Sequence, residues 1–327
     1  DVYFIDIEPG RVICPVKAEK INISKKLDRY FLKRIENYLL DKKMSKIHIK
    51  DYEKFLQTGK HLNAGDHFDI AVIGSDEVFN ATVPSRWGFS TQLFGNIKNA
   101  DRVVTYAASC GSTTLTSARS YGIEKEIEEA LQNVEMLSVR DQNTYEFVQG
   151  ITKRCAEINV DPVFLTDYDS YIKLAERKKP YLLVYAYGNR IKDEREIKAI
   201  KDYAKKRNLD ILCVGMQQRW CRHNIAANAF ELLGYVKNAE CIVTDTFHGT
   251  VFSIKYNKKF VSLIRESNKQ KLGDLLKQFK LYDRVVFNRS TLEAVMEKLI
   301  DYKKVNSVIH DEQEKSKIYL DEVCRKA

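Results

Sequence analysis

Short apolar runs alternate with longer amphipathic ones along most of this chain, and that alternation restricts the fold to layered α/β architectures. "DIAVIGSD" (Asp69–Asp76), "RVVTYAASCGS" (Arg102–Ser112), "MLSVRD" (Met136–Asp141) and "CAEINVDPVF" (Cys155–Phe164) read as buried strands. "GIEKEIEEALQNVE" and "QNTYEFVQG", the latter ending at Gly150, have helical spacing between them. After a pause at Asp167–Pro180 the pattern restarts with the strand "YLLVYAYG", a helix over Ile191–Arg207 and the strand "LDILCVGM". The helix "NAFELLGYVKNAE", the strand "CIVTD", a helix opening near His248, the strand "KFVSLI" and the helix "KQKLGDLLKQF" follow, and "LEAVMEKLIDYKKV" continues with helical spacing. The pause divides the chain into two α/β domains, residues 1–170 and 171–327. With parallel strands a ligand crevice lies at their carboxyl ends. Five strand ends carry polar tips: "GSDE", "AASCGS", "SVRD", "AYGN" and "TDTFHG".

Size and charge remove several classes of function. The 327 residues suit two domains. No run of about 18 apolar residues occurs, so no transmembrane helix is expected, and "DVYFIDIEPG" is not a signal peptide. The first residue is Asp, so the sequence is expected to begin inside a longer chain. A net charge of +9 is compatible with a Lys-rich solvated surface, an anionic substrate or an anionic membrane face. No basic-aromatic block typical of nucleic-acid grooves is present, so no nucleic-acid partner is expected. Seven scattered cysteines without a CxxC argue against a disulfide framework and for a cytoplasmic location. Cys221 and His223 in "CRH" are too few for a metal site, and no metal is expected.

Each polar strand end has a structural reading beside its functional one. In "IGSDEVFN", Gly74, Ser75 and Asp76 suit an anion-facing turn or a plain helix cap. In "AASCGS", Ser109 and Gly111 allow close backbone approach to a ligand, and Cys110 reads as a core thiol rather than a nucleophile. Arg140 in "SVRD" suits carboxylate or phosphate capture, or pairing with Asp141. His248 can exchange a proton near neutrality, with Asp245 and Thr246 beside it, or can cap the helix it opens. Arg265, Lys269 and Lys271 offer an anion pocket or a solvated face.

Together these stretches resemble the polysaccharide pyruvyl transferase family, through "DIAVIGSDEVFN", "VVTYAASCGS", "LSVRDQNTYEFV", "VDPVFLTD", "YLLVYAYG", "IVTDTFHGTVFSIKYNKKFVSL" and "KLGDLLKQF" in order. The resemblance implies a fold of two Rossmann-like domains facing a cleft, similar to GT-B glycosyltransferases, with the acceptor on the N-terminal side and the donor on the C-terminal side. It also implies transfer of an enolpyruvyl unit from phosphoenolpyruvate, as co-substrate and without a further cofactor, onto two hydroxyls of a sugar. The product is a cyclic pyruvate ketal, and phosphate is released. Carried onto this chain, Arg140, His248 and Lys271 would hold the donor and protonate its methylene; Asp76 is a candidate base or partner of an acceptor hydroxyl. Ser75, Ser109, Gly111, Thr246, Gly249 and Arg265 complete the expected substrate-binding set. Thr246 stands where some members have Arg, so one anion contact is expected to be lost or supplied elsewhere, by Arg86 or Arg265. The resemblance further implies a strand, a Gly/Asn-rich loop and a helix ahead of "VYFIDIEPG", which itself resembles the following strand. The acceptor sugar, free or lipid- or nucleotide-linked, stays open, as do docking at the inner membrane face and homo-oligomerisation. The alternative is a GT-B glycosyltransferase using a nucleotide sugar, since fold alone does not fix activity.

Overall fold

The structure, a computed structural model, describes residues 2–14, 38–47, 49–50, 66–84, 87–173, 179–286 and 292–325. Among these residues the apolar runs form two parallel five-stranded sheets. The first contains β1 (Phe68–Asp76), β2 (Ala100–Ala108), β3 (Val134–Met136), β4 (Ser138–Val139) and β5 (Glu157–Ile158). Its order is β1-β2-β4-β5, with β3 also pairing β2. The second contains β6 (Tyr181–Tyr185), β7 (Asp210–Val214), β8 (His223–Ile225), β9 (Cys241–Thr244) and β10 (Lys259–Ser262), in the order β10-β9-β6-β7-β8. All four residues of β9 and the first four of β6 are buried, as expected for central strands of a parallel sheet covered on both faces. The carboxyl ends of the two sheets face each other, because side chains following β1 and β4 meet side chains following β9 and β10. Two Rossmann-like sheets opposed in this way make the fold α/β and GT-B-like.

Capping residues set the helix ends. Asp193 accepts from Arg195 N, so the helix expected from Ile191 begins at Glu194 and runs to Lys206. Asp141 accepts from Thr144 N and opens the helix Gln142–Thr152, which runs two residues past Gly150. The apolar stretch after residue 291 is two helices, Leu292–Glu297 and Tyr302–Arg325. Between them the buried Arg284 donates to Lys298 O (2.9 Å), and Asp301 accepts from Lys304 N (3.3 Å), which restarts the helix. The three residues of β8 are too few to show a strand period in sequence. Residues 2–10 are not a strand. Arg11 instead makes an isolated antiparallel bridge to Phe89, and Gly10 N donates to Trp87 O (2.7 Å).

The last helix follows the second sheet in sequence but packs on the first. Tyr319 Oη donates to Thr105 O (2.8 Å), and its ring lies 6.3 Å from that of Tyr106. Ser316 Oγ accepts from Val160 N (3.1 Å), and Arg102 Nη1 donates to Val323 O (3.0 Å). Among the described residues, the chain thus passes from the first half to the second after Asp161 and returns to the first through this helix. Among the described residues no helix is long and apolar enough to cross a membrane. Replacing Tyr319, 2% exposed, by Ala leaves a cavity and an unpaired carbonyl, and should cost about 3–5 kcal/mol. Urea unfolding monitored by circular dichroism measures it, and a loss below about 1 kcal/mol would contradict this packing.

Candidate active site

The buried strand β9 delivers the chain into Asp245 and Thr246, and Thr246 has extended backbone angles (φ −110°, ψ 153°). Its Oγ1 accepts from Gly249 N (2.9 Å), capping the helix Phe247–Lys255. The capping duty therefore falls on Thr246, and His248 sits in the first turn with its side chain 40% exposed. Thr246 is itself buried, with its hydroxyl against Thr244 Oγ1 (3.1 Å) and Gly249 N rather than open to a ligand. Gly249 is required by space. A Cβ there would lie 2.1 Å from Thr244 Oγ1 and 2.7 Å from Thr246 Oγ1.

Phe247, beside His248, is where the two halves of the molecule meet. The Arg140 guanidinium lies 4.1 Å from its ring centroid and the Lys271 ammonium 6.0 Å from it, both within cation–π range. Arg140 follows β4 in the first half, and Lys271 lies on the helix Lys269–Gln278 of the second. Arg140 is buried and donates through Nη1 to Asp161 Oδ2 (2.9 Å) and through Nη2 to Asp76 Oδ1 (3.4 Å). Its Nε has no partner among the described residues. His248 Nε2 lies 3.8 Å from the same Asp161 Oδ2. Lys271 Nζ pairs with Glu77 Oε1 across the cleft. Arg140, His248, Lys271 and Asp76 are thus brought together, with three carboxylates facing two permanent cations.

Other expected residues occupy different places. Asp141 does not hold Arg140. It caps Gln142–Thr152 and accepts from Ser109 Oγ (2.6 Å), so Ser109 is turned into the interior. Ser75 is half-buried near the end of β1, next to Asp76. Gly111 has φ +55°, and a Cβ there would lie 2.5 Å from Glu77 Oε2, so its lack of a side chain makes room for that carboxylate. Arg265 belongs to a second cluster: it donates to both Glu196 oxygens (2.7 and 2.9 Å), and its Nε is 3.9 Å from Asp245 Oδ2. Arg190 also flanks Asp245 (3.4 Å). Burial pushes the Asp245 carboxyl up, opposed by the Tyr187 N–H and these two arginines. Arg265 is therefore already held by its own carboxylates, and Arg86 lies outside the described residues. Among the described residues no His, Cys, Asp and Glu side chains gather in a metal-binding group, and Cys221 is a buried thiol facing backbone carbonyls.

Three residues at the junction were not singled out in the sequence. Phe247 looked like one more apolar helix position. Glu77 looked like part of a turn. Asp161 looked like a strand stop before Pro162.

A model of the polysaccharide pyruvyl transferase family matches residues 12–267, most of the chain. The chain belongs to this family. That stretch includes β1 to β10, Arg140, Asp161 and His248, and stops before Lys271. No curated protein matches the sequence. Among solved structures, the glycotransferase of kitacinnamycin is 8% identical, with 64% of this chain and 60% of that one covered and a TM-score of 0.39. This chain therefore spans less than two thirds of that protein. A functionally uncharacterized protein from Klebsiella pneumoniae is 12% identical, covering 78% of this chain and 98% of that one, with a TM-score of 0.43. The calicheamicin glycosyltransferase CalG4 is 12% identical, covering 93% and 82%, with a TM-score of 0.42.

Cys110 lies beside the family's Arg-bearing element, yet burial pushes its thiol up to about 12. Cys155 and Cys324 are exposed. Titration of the native protein with a thiol reagent at pH 8 should label Cys155 and Cys324 quickly and Cys110 only after unfolding. Rapid native labelling of Cys110, read by peptide mass, would contradict its placement in the core.

Proposed function

We propose that this chain is a ketal-forming pyruvyltransferase that takes phosphoenolpyruvate as donor and a sugar as acceptor. The observation that carries the reading is the convergence of Arg140, Lys271 and His248 on the Phe247 ring between the two sheets. Two cations and a partly exposed imidazole are what a small trianion needs for capture and protonation. Membership of the polysaccharide pyruvyl transferase family supports the same chemistry.

In this reading the donor replaces carboxylates that hold the cations in the free protein. Asp76 is exposed and 3.4 Å from Arg140, and Glu77 reaches Lys271 across the cleft, so both can yield to an incoming anion. The crevice between Arg140, Asp161, Phe247 and Lys271 has a cavity volume of only about 10 Å³, far below the roughly 300–1,000 Å³ usual for small-ligand sites. Donor entry therefore separates Glu77 from Lys271 and opens the halves. The unpartnered Arg140 Nε is a further donor for the bound anion.

The reaction balances with these groups. The C2–C3 π pair takes a proton from His248, C3 becomes a methyl group and C2 an electrophile. An acceptor hydroxyl bonds to C2 and passes its proton to a base, for which Asp76, freed from Arg140, is placed. The C2–O bond to phosphorus then breaks with its electron pair on phosphate. A second hydroxyl bonds to C2, and its proton leaves with the base or the phosphate. Arg140 and Lys271 offset the charge that accumulates on the departing phosphate. A sugar linked to a lipid or a nucleotide meets the same requirement for two neighbouring hydroxyls. We place the reaction on the cytoplasmic side of the cell.

His248→Gln should lower the rate of phosphate release from phosphoenolpyruvate plus acceptor by roughly 10²-fold or more, with melting unchanged. Near-wild-type turnover in that variant removes His248 as the acid. Nucleotide release from a nucleotide sugar, with no phosphate release from phosphoenolpyruvate, would replace this reading with glycosyl transfer.

A further inference from the structure

Of the three carboxylates at the junction, Asp161 is the buried one. Its side chain is 2% exposed, against 66% for Asp76 and 29% for Glu77. Its position is fixed on several sides. Oδ1 accepts from Val163 N (3.0 Å), and Oδ2 accepts from Arg140 Nη1 (2.9 Å). Pro162, the next residue, restricts the Asp161 backbone to extended angles, and φ −53°, ψ 134° are observed. An incoming anion can displace exposed carboxylates from their cations, whereas this one is held in the interior.

The same Oδ2 faces His248 Nε2 at 3.8 Å. That distance is longer than a hydrogen bond, and the carboxylate faces Nε2, so Nδ1 is the nitrogen left to deliver a proton. The ring is braced on its other sides by Phe247 (centroids 5.6 Å, edge-on) and Phe252 (6.0 Å). The cations nearby, Arg140 and Lys271, repel an imidazolium, and Asp76 and Glu77 are paired with those cations. Asp161 is therefore the carboxylate placed to hold the charged imidazole toward the cleft once the donor has taken the other two.

We infer that Asp161 is the positioning residue of the general acid: its buried carboxylate orients His248 and offsets the imidazolium charge while Arg140 anchors that carboxylate. This rests on the reading of His248 as the proton donor to phosphoenolpyruvate. The role parallels carboxylates that orient catalytic histidines elsewhere, here with Arg140, which follows the neighbouring strand β4, as the anchor. It acts through His248 and needs no contact with substrate.

The test is a double-mutant cycle with full-length protein, measuring kcat and the KM for phosphoenolpyruvate. Asp161→Asn should lower kcat about 10- to 100-fold in the wild-type background and leave KM within about 3-fold, the pattern of a lost transition-state interaction. In the His248→Gln background the same substitution should change kcat by less than about 2-fold, because the residue it acts through is gone. Equal losses in both backgrounds, or a rise in KM with kcat unchanged, overturn the inference while leaving the donor reading intact. If Asp161→Asn does not fold, Asp161→Glu keeps the charge for Arg140 but moves the carboxylate relative to His248, and should give the same contrast between backgrounds. A wild type that releases no phosphate from phosphoenolpyruvate with any acceptor overturns the donor reading and this inference with it.

Discussion

The ion pair between Arg140 and Asp161 is the interaction on which the rest of the site depends. Both side chains are almost fully buried, and a charge in that environment persists only when paired. Removing either partner is expected to cost about 3–5 kcal/mol, because the other charge is left stranded. The pair joins the end of β4 to the segment that leaves the first sheet for the second. Through the Phe247 ring and His248 it also reaches the helix that follows β9. The pair lies within the first half, and its contacts with Phe247 and His248 tie it to the second, so the candidate proton donor sits at that same junction.

Around this fixed pair the remaining charges are exchangeable. Asp76 is exposed, and Glu77 lies on the opposite wall from Lys271. In the free protein they satisfy the cations and close the crevice. In the proposed reading, a trianionic donor would offer Arg140 and Lys271 stronger partners, and the carboxylates it released would be free to meet acceptor hydroxyls. The helix Tyr302–Arg325, bonded to the first sheet at Thr105, Val160 and Arg102, gives the halves a second covalent crossing. Opening of the cleft, which the proposed reading requires, would then be a hinge-like separation about two connections.

Much of this was legible in the sequence, for physical reasons. Buried parallel strands are continuous apolar runs, so the four buried residues of β9 and the core of β6 could be read directly. Parallel topology forces ligands to the carboxyl ends, and Arg140, Asp76 and His248 all lie there. What the sequence did not show were pairings between distant residues. Asp141 is adjacent to Arg140, but its cap on Gln142–Thr152 and its bond to Ser109 occupy it, and the partner is Asp161, twenty-one residues away. Glu77 and Lys271 are separated by 194 residues. Arg265 looked available, yet Glu196 from another helix holds both of its terminal nitrogens. Local rules place a charge at a strand end, and only the tertiary fold decides which opposite charge it meets.

The central claim is that this junction receives phosphoenolpyruvate and converts it to a ketal on a sugar. Mass spectrometry of a panel of free, nucleotide-linked and lipid-linked glycans incubated with the protein and phosphoenolpyruvate tests it most directly. The account predicts one acceptor that gains the mass of a pyruvate ketal, in step with phosphate release and with both signals lost in Arg140→Gln. A glycan that gains a sugar from a nucleotide donor, while no glycan gains pyruvate, would contradict it.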